Sequence, residues 1–257
     1  MERYQIILAY DGTNFLGSQR QASAAPGLPR NVRTVQGELE KALREIGWHG
    51  KSILLAGRTD TGTHAEGQVA SFDLDWRHAP EELVDALNAN LPLDMAVSTA
   101  RIVPHNFHPR YNATSRSYRY RLFCRQIRDP LREPFAWRVW PPVADLTPLA
   151  HIWLGTHDFS AFGTPPHPNG STVRTIMDAS WHLEGDEWIW HIRADAFLYR
   201  MVRRLVFIQV AVGQGRISAE DLVKNLNQQT EDLTRLPSGL APACGLTLTE
   251  VRYDNLV

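Results

Sequence analysis

The sequence predicts an α+β protein built as two similar halves, with mainly antiparallel sheets flanked by helices. Three observations lead there. Apolar alternation marks strands throughout the chain, helical spacing marks helices between them, and the strand pattern restarts near residues 104–110. The expected division is therefore a first half at 1–105 and a second at 106–257. At 257 residues, 43% hydrophobic and 21% charged, the chain is long and apolar enough to bury a substantial core.

Each element has a local reason. Tyr4-Gln5-Ile6-Ile7-Leu8-Ala9-Tyr10 alternates as a half-buried strand and stops at the turn signal Asp11-Gly12-Thr13-Asn14. Residues 22–33 carry Pro and Gly and read as a loop. Thr34 then caps a helix whose apolar positions are Val35, Leu39, Leu43 and Ile46. Strand returns at Ile53, breaks at Gly57 and resumes through Val69, Phe72 and Leu74. Pro80 opens a helix with Leu83, Val84 and Leu87, and a strand spans 97–103.

In the second half, Ser117-Tyr118-Arg119-Tyr120-Arg121-Leu122-Phe123 alternates clearly. A helix is expected from Thr147-Pro148 with Leu149, Ile152 and Trp153 on one face. Strands follow at 171–183 and 187–194, with Trp181, Trp188 and Trp190 read as sheet packing. Residues 196–212 give the longest helix pattern, striped by Phe197, Met201, Leu205, Ile208 and Val212. Within it Arg200, Arg203 and Arg204 share a face. Ser218 caps a last helix, and 246–253 closes as a strand.

Composition excludes several classes. No apolar run approaches the roughly 18–20 residues that span a bilayer, and no leader pattern precedes the first strand, so a cytoplasmic protein without a membrane partner is expected. Cys124 and Cys244 are far apart in sequence, and the ten histidines show no HxH or HExxH spacing, which argues against a disulfide framework or a metal site. Gly213-Gln214-Gly215 follows a helix rather than a first strand, so no nucleotide cofactor is expected. Net charge is -1, yet residues 101–138 hold nine arginines against Asp129 and Glu133. That distribution suits phosphate contacts, because arginine stays charged and donates as a planar fork. Arginines alternating on a solvated sheet face are the plainer alternative.

The stretch Leu54-Leu55-Ala56-Gly57-Arg58-Thr59-Asp60-Thr61-Gly62-Thr63-His64-Ala65 carries the chemistry. An apolar run ends at a glycine and delivers an arginine and a carboxylate two residues apart, on small residues that allow a tight turn and a close substrate. Ordinary hairpin chemistry accounts for an Asp and a Gly in such a turn equally well. Asp60-Thr61-Gly62-Thr63 also has the letters of an aspartic peptidase, but that site pairs two carboxylates and no second copy exists in the chain. An aspartyl-phosphate enzyme would want a second carboxylate two residues on, where Gly62 stands.

Taken with the rest of the chain, this loop resembles the signature of the TruA family of tRNA pseudouridine synthases. Further segments match in order: Tyr10-Asp11-Gly12-Thr13-Asn14-Phe15 with Gly17 and Gln19, Thr34-Val35-Gln36-Gly37 with Leu39-Glu40, and Arg110-Tyr111-Asn112-Ala113-Thr114 with Arg116 and Tyr118 to Arg121. So do His157-Asp158-Phe159, Phe197 to Arg203, and Ala241-Pro242-Ala243 with Gly245-Leu246. The chain departs from the pattern at Ser18, where the family has Trp, and at Thr63, where it has Val. It also lacks the customary residues after Arg203.

The resemblance implies the pseudouridine synthase fold with an active-site cleft between its halves. It implies a cofactor-free isomerase acting on uridines 38, 39 and 40 of the tRNA anticodon arm, working as a homodimer with the tRNA across both subunits. Asp60 is then the nucleophile, Arg203 its ion-pair partner, and Tyr118 the residue that stacks on the base and moves a proton. Leu246 would form an apolar wall under the base, and Arg58 would fill the place the uridine leaves when it flips out. Arg110, Arg116, Arg119, Arg121 and Arg200 are candidates for RNA phosphate contacts. A tRNA-binding or folding-assisting protein without essential catalysis is the alternative that binding data alone would not separate.

Overall fold

The structure, a computed structural model, describes residues 1–20, 33–227 and 235–254, so the expected loop at 22–33 lies outside the described residues except for Arg33. The chain forms two compact units, Met1–Thr114 with Thr247–Val257, and Ser115–Leu246. The sequence reading divides the chain between 105 and 106. The observed units divide after Thr114, and most of the closing strand belongs to the first unit.

In the first unit, alternation along β1 (Glu2–Tyr10) buries Tyr4, Ile6, Leu8 and Tyr10. β1 lies between β4 (Met95–Val103) and β3 (His64–Leu74), antiparallel to both. The short β2 (Leu54–Leu55) pairs antiparallel with β3 at Ser71 and Ala70. The unit's far edge is β10 (Leu246–Tyr253), which runs parallel to β3 with Thr247 opposite His64. A parallel neighbour there is possible only because β10 arrives from the far end of the chain.

Helix α1 (Val35–Glu45) begins where Thr34 accepts a hydrogen bond from Gly37 N–H, as the sequence predicts. It buries Val35, Leu39, Ala42 and Leu43. Its polar Glu40 is fully buried, yet it accepts from the Gln36 side chain at 2.8 Å and Ile53 N–H at 3.2 Å and pairs with Arg20 at 3.1 Å. A carboxylate with those partners ties the helix to the segment leading into the Asp60 loop. Helix α2 (Pro80–Asn90) packs Leu83 and Leu87 inward and rests on β4.

In the second unit the strand order is β6 (Trp137–Val139), β5 (Ala113–Cys124), β9 (Glu187–Ala194), β8 (Val173–Glu184) and β7 (Gly155–Asp158). The expected helix at 147 is a single turn, α3 (Thr147–Ala150), continued by a 3-10 turn at His151–Trp153. Helix α4 (Met201–Gly213) is buried almost all round and takes the Trp181 indole N–H on its Gln209 side chain at 2.7 Å. Trp181 and Trp190 stack with centroids 5.7 Å apart inside this unit. Helix α5 (Ala219–Leu226) starts at Ser218, whose hydroxyl accepts from Asp221 N–H.

The expected helix over 196–212 starts late. Arg200 is left-handed, with φ at 62°, and Tyr199 exchanges two main-chain hydrogen bonds with Thr164. That pairing draws residues 196–200 out of the helix. Phe197 therefore packs edge-on against Tyr118 at 5.2 Å instead of extending the α4 stripe. Arg200 sits at the helix cap rather than one turn below Arg203 and Arg204.

Candidate active site

The Asp60 loop is held from three sides by the first unit. Upstream, the Gln68 side chain accepts from Gly57 N–H at 3.2 Å and donates to Gly57 C=O at 3.0 Å, satisfying both main-chain polar groups of that residue. Below, Tyr10 Oη and Thr59 Oγ1 share a hydrogen bond of 2.8 Å. Burial pushes the Tyr10 hydroxyl up to about 12, opposed by its bonds to Thr59 and Gln68, so it stays protonated. At the side, Ser18 Oγ accepts from Thr59 N–H at 2.9 Å and Ser18 N–H donates to Thr59 C=O at 3.1 Å.

The turn itself closes by Thr63 N–H donating to Asp60 C=O at 3.1 Å, with Gly62 at φ 77°. Gly12 lies so close that a Cβ there would stand 2.0 Å from Thr63 C=O, which no side chain tolerates. Gly12 N–H donates to His64 Nδ1 at 3.0 Å and fixes the residue that opens β3. The outcome is a rigid backbone with Asp60 half-buried and Arg58 exposed on either side of a buried Thr59. Such a loop presents a carboxylate without needing to reorganise when substrate arrives.

The second unit carries its own candidate residues around β5. Tyr118 and Tyr120 both point to the buried face, two residues apart. Tyr120 Oη donates to Pro242 C=O at 2.8 Å, and its hydroxyl is raised well above its ordinary value by burial. Gly245 sits so near the Tyr120 ring that a Cβ would lie 2.6 Å away. Arg203, in the first turn of α4, donates from Nε to Ala241 C=O at 2.7 Å, and Ala241 N–H donates back to Arg203 C=O at 3.2 Å. Arg203 and the segment leading to buried Leu246 are therefore positioned together. Arg204 donates to the carbonyls of Pro237 and Gly239, and burial lowers its guanidinium from its usual value.

The basic face expected over 101–138 is only partly neutralised, by ion pairs to five of its nine arginines. Arg121 pairs with Glu187, Arg125 with Asp129 at 2.9 Å, and Arg128 and Arg138 with Glu133 at 3.1 and 2.9 Å. Arg132 pairs with Asp186 at 2.9 Å and Glu187 at 3.2 Å. Asp186 in the turn between β8 and β9 and Glu187 at the start of β9 lie outside any local charge count. Arg121 is thus committed to a carboxylate. Arg116 donates to Asp195 C=O at 2.8 Å, and Arg119 stands opposite His191 across the β5–β9 pair. Burial, helped by Arg119 and His182, lowers His191 below the usual imidazole value. Arg200 lies over the Tyr199 ring at 4.7 Å.

Among the described residues no group of His, Cys, Asp and Glu is arranged to hold a metal ion, and no helix is long and apolar enough to cross a membrane. Ser18, Tyr10, Gln68 and Tyr120 had no role assigned from sequence. The inward register of Tyr120 with Tyr118 was the signal for the last of these.

Comparison with known proteins defines the enzyme class. A family model described as tRNA pseudouridine synthase matches residues 6–112 and 149–254. The chain belongs to the tRNA pseudouridine synthase family, a family of isomerases. It is 42% identical over 98% of its length to a protein named tRNA pseudouridine synthase A from Solidesulfovibrio magneticus, of which the match covers 92%. It is 41% identical over 90% of its length to the protein of that name from Halalkalibacterium halodurans, covering 86% of it. For the Listeria monocytogenes serotype 4a protein the figures are 36%, 99% and 100%.

Proposed function

We propose that this protein converts uridine to pseudouridine in tRNA, at positions 38, 39 and 40 of the anticodon arm, with Asp60 as nucleophile. The reaction breaks the bond from C1' to N1, turns the uracil, joins C1' to C5, moves the C5 proton to solvent and leaves N1 protonated. Nothing is oxidised and no group enters, so the needs are a nucleophile, a site that retains the detached base, and proton transfer. The observation that carries the reading is the Asp60 loop, whose backbone is fixed by Gln68, Tyr10 and Ser18 within a chain of this family.

In this reading a base packed over the carboxylate desolvates it, and Arg203 supplies the opposing cation. Arg203 suits that task because α4 and Ala241 already fix its stem. Tyr118 stacks on the base and takes part in proton transfer, and Leu246 keeps water from the intermediate. Flipping the uridine from its stack costs a few kcal/mol, part of which Arg58 recovers by filling the vacated place. Arg110, Arg116, Arg119 and Arg200 contact phosphates, while Arg121 contributes little beyond its ion pair with Glu187. The working form is a cytoplasmic homodimer that uses no cofactor.

Mapping pseudouridine along unmodified tRNA by a base-specific chemical adduct tests this. New pseudouridine confined to 38, 39 and 40 is the expected result. Modification elsewhere would overturn the position assignment, and tRNA bound but unmodified would leave an RNA-binding or folding-assisting protein.

A further inference from the structure

We propose that Ser18 is a positioning residue for the catalytic loop. It holds both main-chain polar groups of Thr59 and so fixes the peptide from which Asp60 projects. The inference rests on reading Asp60 as the nucleophile. Ser18 is fully buried, its Oγ accepts from Thr59 N–H at 2.9 Å, and its own N–H donates to Thr59 C=O at 3.1 Å. The clamp is itself anchored, since Ser18 C=O accepts from Gln36 N–H at 2.9 Å at the start of α1. Gly17 makes the approach possible. Its φ is 85°, and a Cβ there would stand 2.9 Å from Thr59 C=O. A rigid run thus links α1, Ser18, Thr59 and Asp60.

A hydroxyl accepts from Thr59 N–H where alanine cannot, so without it that N–H is buried with no partner. Small shifts of a reacting group are costly in rate while leaving remote substrate contacts unchanged. Ser18 therefore acts on turnover rather than on tRNA affinity.

The experiment compares Ser18→Ala with the wild type and Asp60→Ala in steady-state pseudouridine formation on unmodified tRNA, with rates normalised to the folded fraction. Ser18→Ala is expected to lower kcat roughly 10- to 100-fold with KM within about twofold of the wild type. A kcat within about twofold, or a loss carried by KM, would overturn the proposal. Turnover by Asp60→Ala would instead overturn the nucleophile reading on which it rests. Amide exchange in the wild type gives a second test that does not depend on the variant folding. Slow exchange at Thr59 N–H is expected, and exchange as fast as an exposed amide would refute the clamp.

Discussion

Replacing Thr63 with Val should stabilise this protein, and the structure sets the size of the effect. Thr63 is 2% exposed, and its Oγ1 has no hydrogen-bond partner among the described residues. A buried hydroxyl without a partner costs about 1–3 kcal/mol, and a methyl of the same shape in its place adds favourable apolar burial of up to about 0.8 kcal/mol. The bonds that form the turn are main-chain and survive the exchange, including Thr63 N–H to Asp60 C=O. We expect a gain of about 1–4 kcal/mol, which for a chain of this size raises Tm by roughly 2–16 °C. Urea denaturation followed by circular dichroism and tryptophan fluorescence measures it, with turnover recorded beside it. A loss of stability would show that the hydroxyl has a partner and that the loop is not packed as described.

Three further outcomes follow from the same geometry. Gly12→Ala places a Cβ 2.0 Å from Thr63 C=O, so the Asp60 loop must move, and we expect about 2 kcal/mol or more of destabilisation with loss of turnover; retained activity would contradict the close approach. Glu40→Ala strands Ile53 N–H in the core of the first unit and leaves Gln36 Nε2 with Ser52 Oγ as its remaining acceptor, at a cost of about 3 kcal/mol by urea denaturation. Arg33 donates to both oxygens of Asp94 at 2.6 and 2.7 Å, and this bonding, against the effect of burial, holds the Asp94 carboxyl below its usual range. A depressed folded value means that the stabilisation is fully present above about pH 4 and is lost as pH falls through the lowered value; Asp94→Asn should flatten that acid limb in a stability-against-pH profile.

Much of this molecule is legible in its residues, and the exceptions have physical causes. Period-two alternation in residues 4–10 and 117–123 and the cap at Thr34 require only local chemistry, and each appears where expected. β6 and β7 are three and four residues long, too short for alternation to register, and Gly155-Thr156-His157-Asp158 lacks apolar residues altogether. The start of α4 is set by Thr164, 35 residues upstream of Tyr199, a tertiary pairing that overrides an unbroken apolar stripe. The charge of the arginine-rich stretch is likewise reduced by Asp186 and Glu187, which lie outside it in sequence. The loop around Asp60 is visible as a motif, but the clamp from Ser18 is not, because its two bonds span 41 residues.

If Asp60 is the nucleophile, isomerisation by this chain depends on its carboxylate. Tritium release from C5-labelled uridine in unmodified tRNA, with EDTA present, tests it most directly when the wild type is set beside Asp60→Ala and binding of tRNA is measured for both. Release by the wild type and none by the variant, at equal tRNA affinity, is the expected result. Release by Asp60→Ala at the wild-type rate would contradict it.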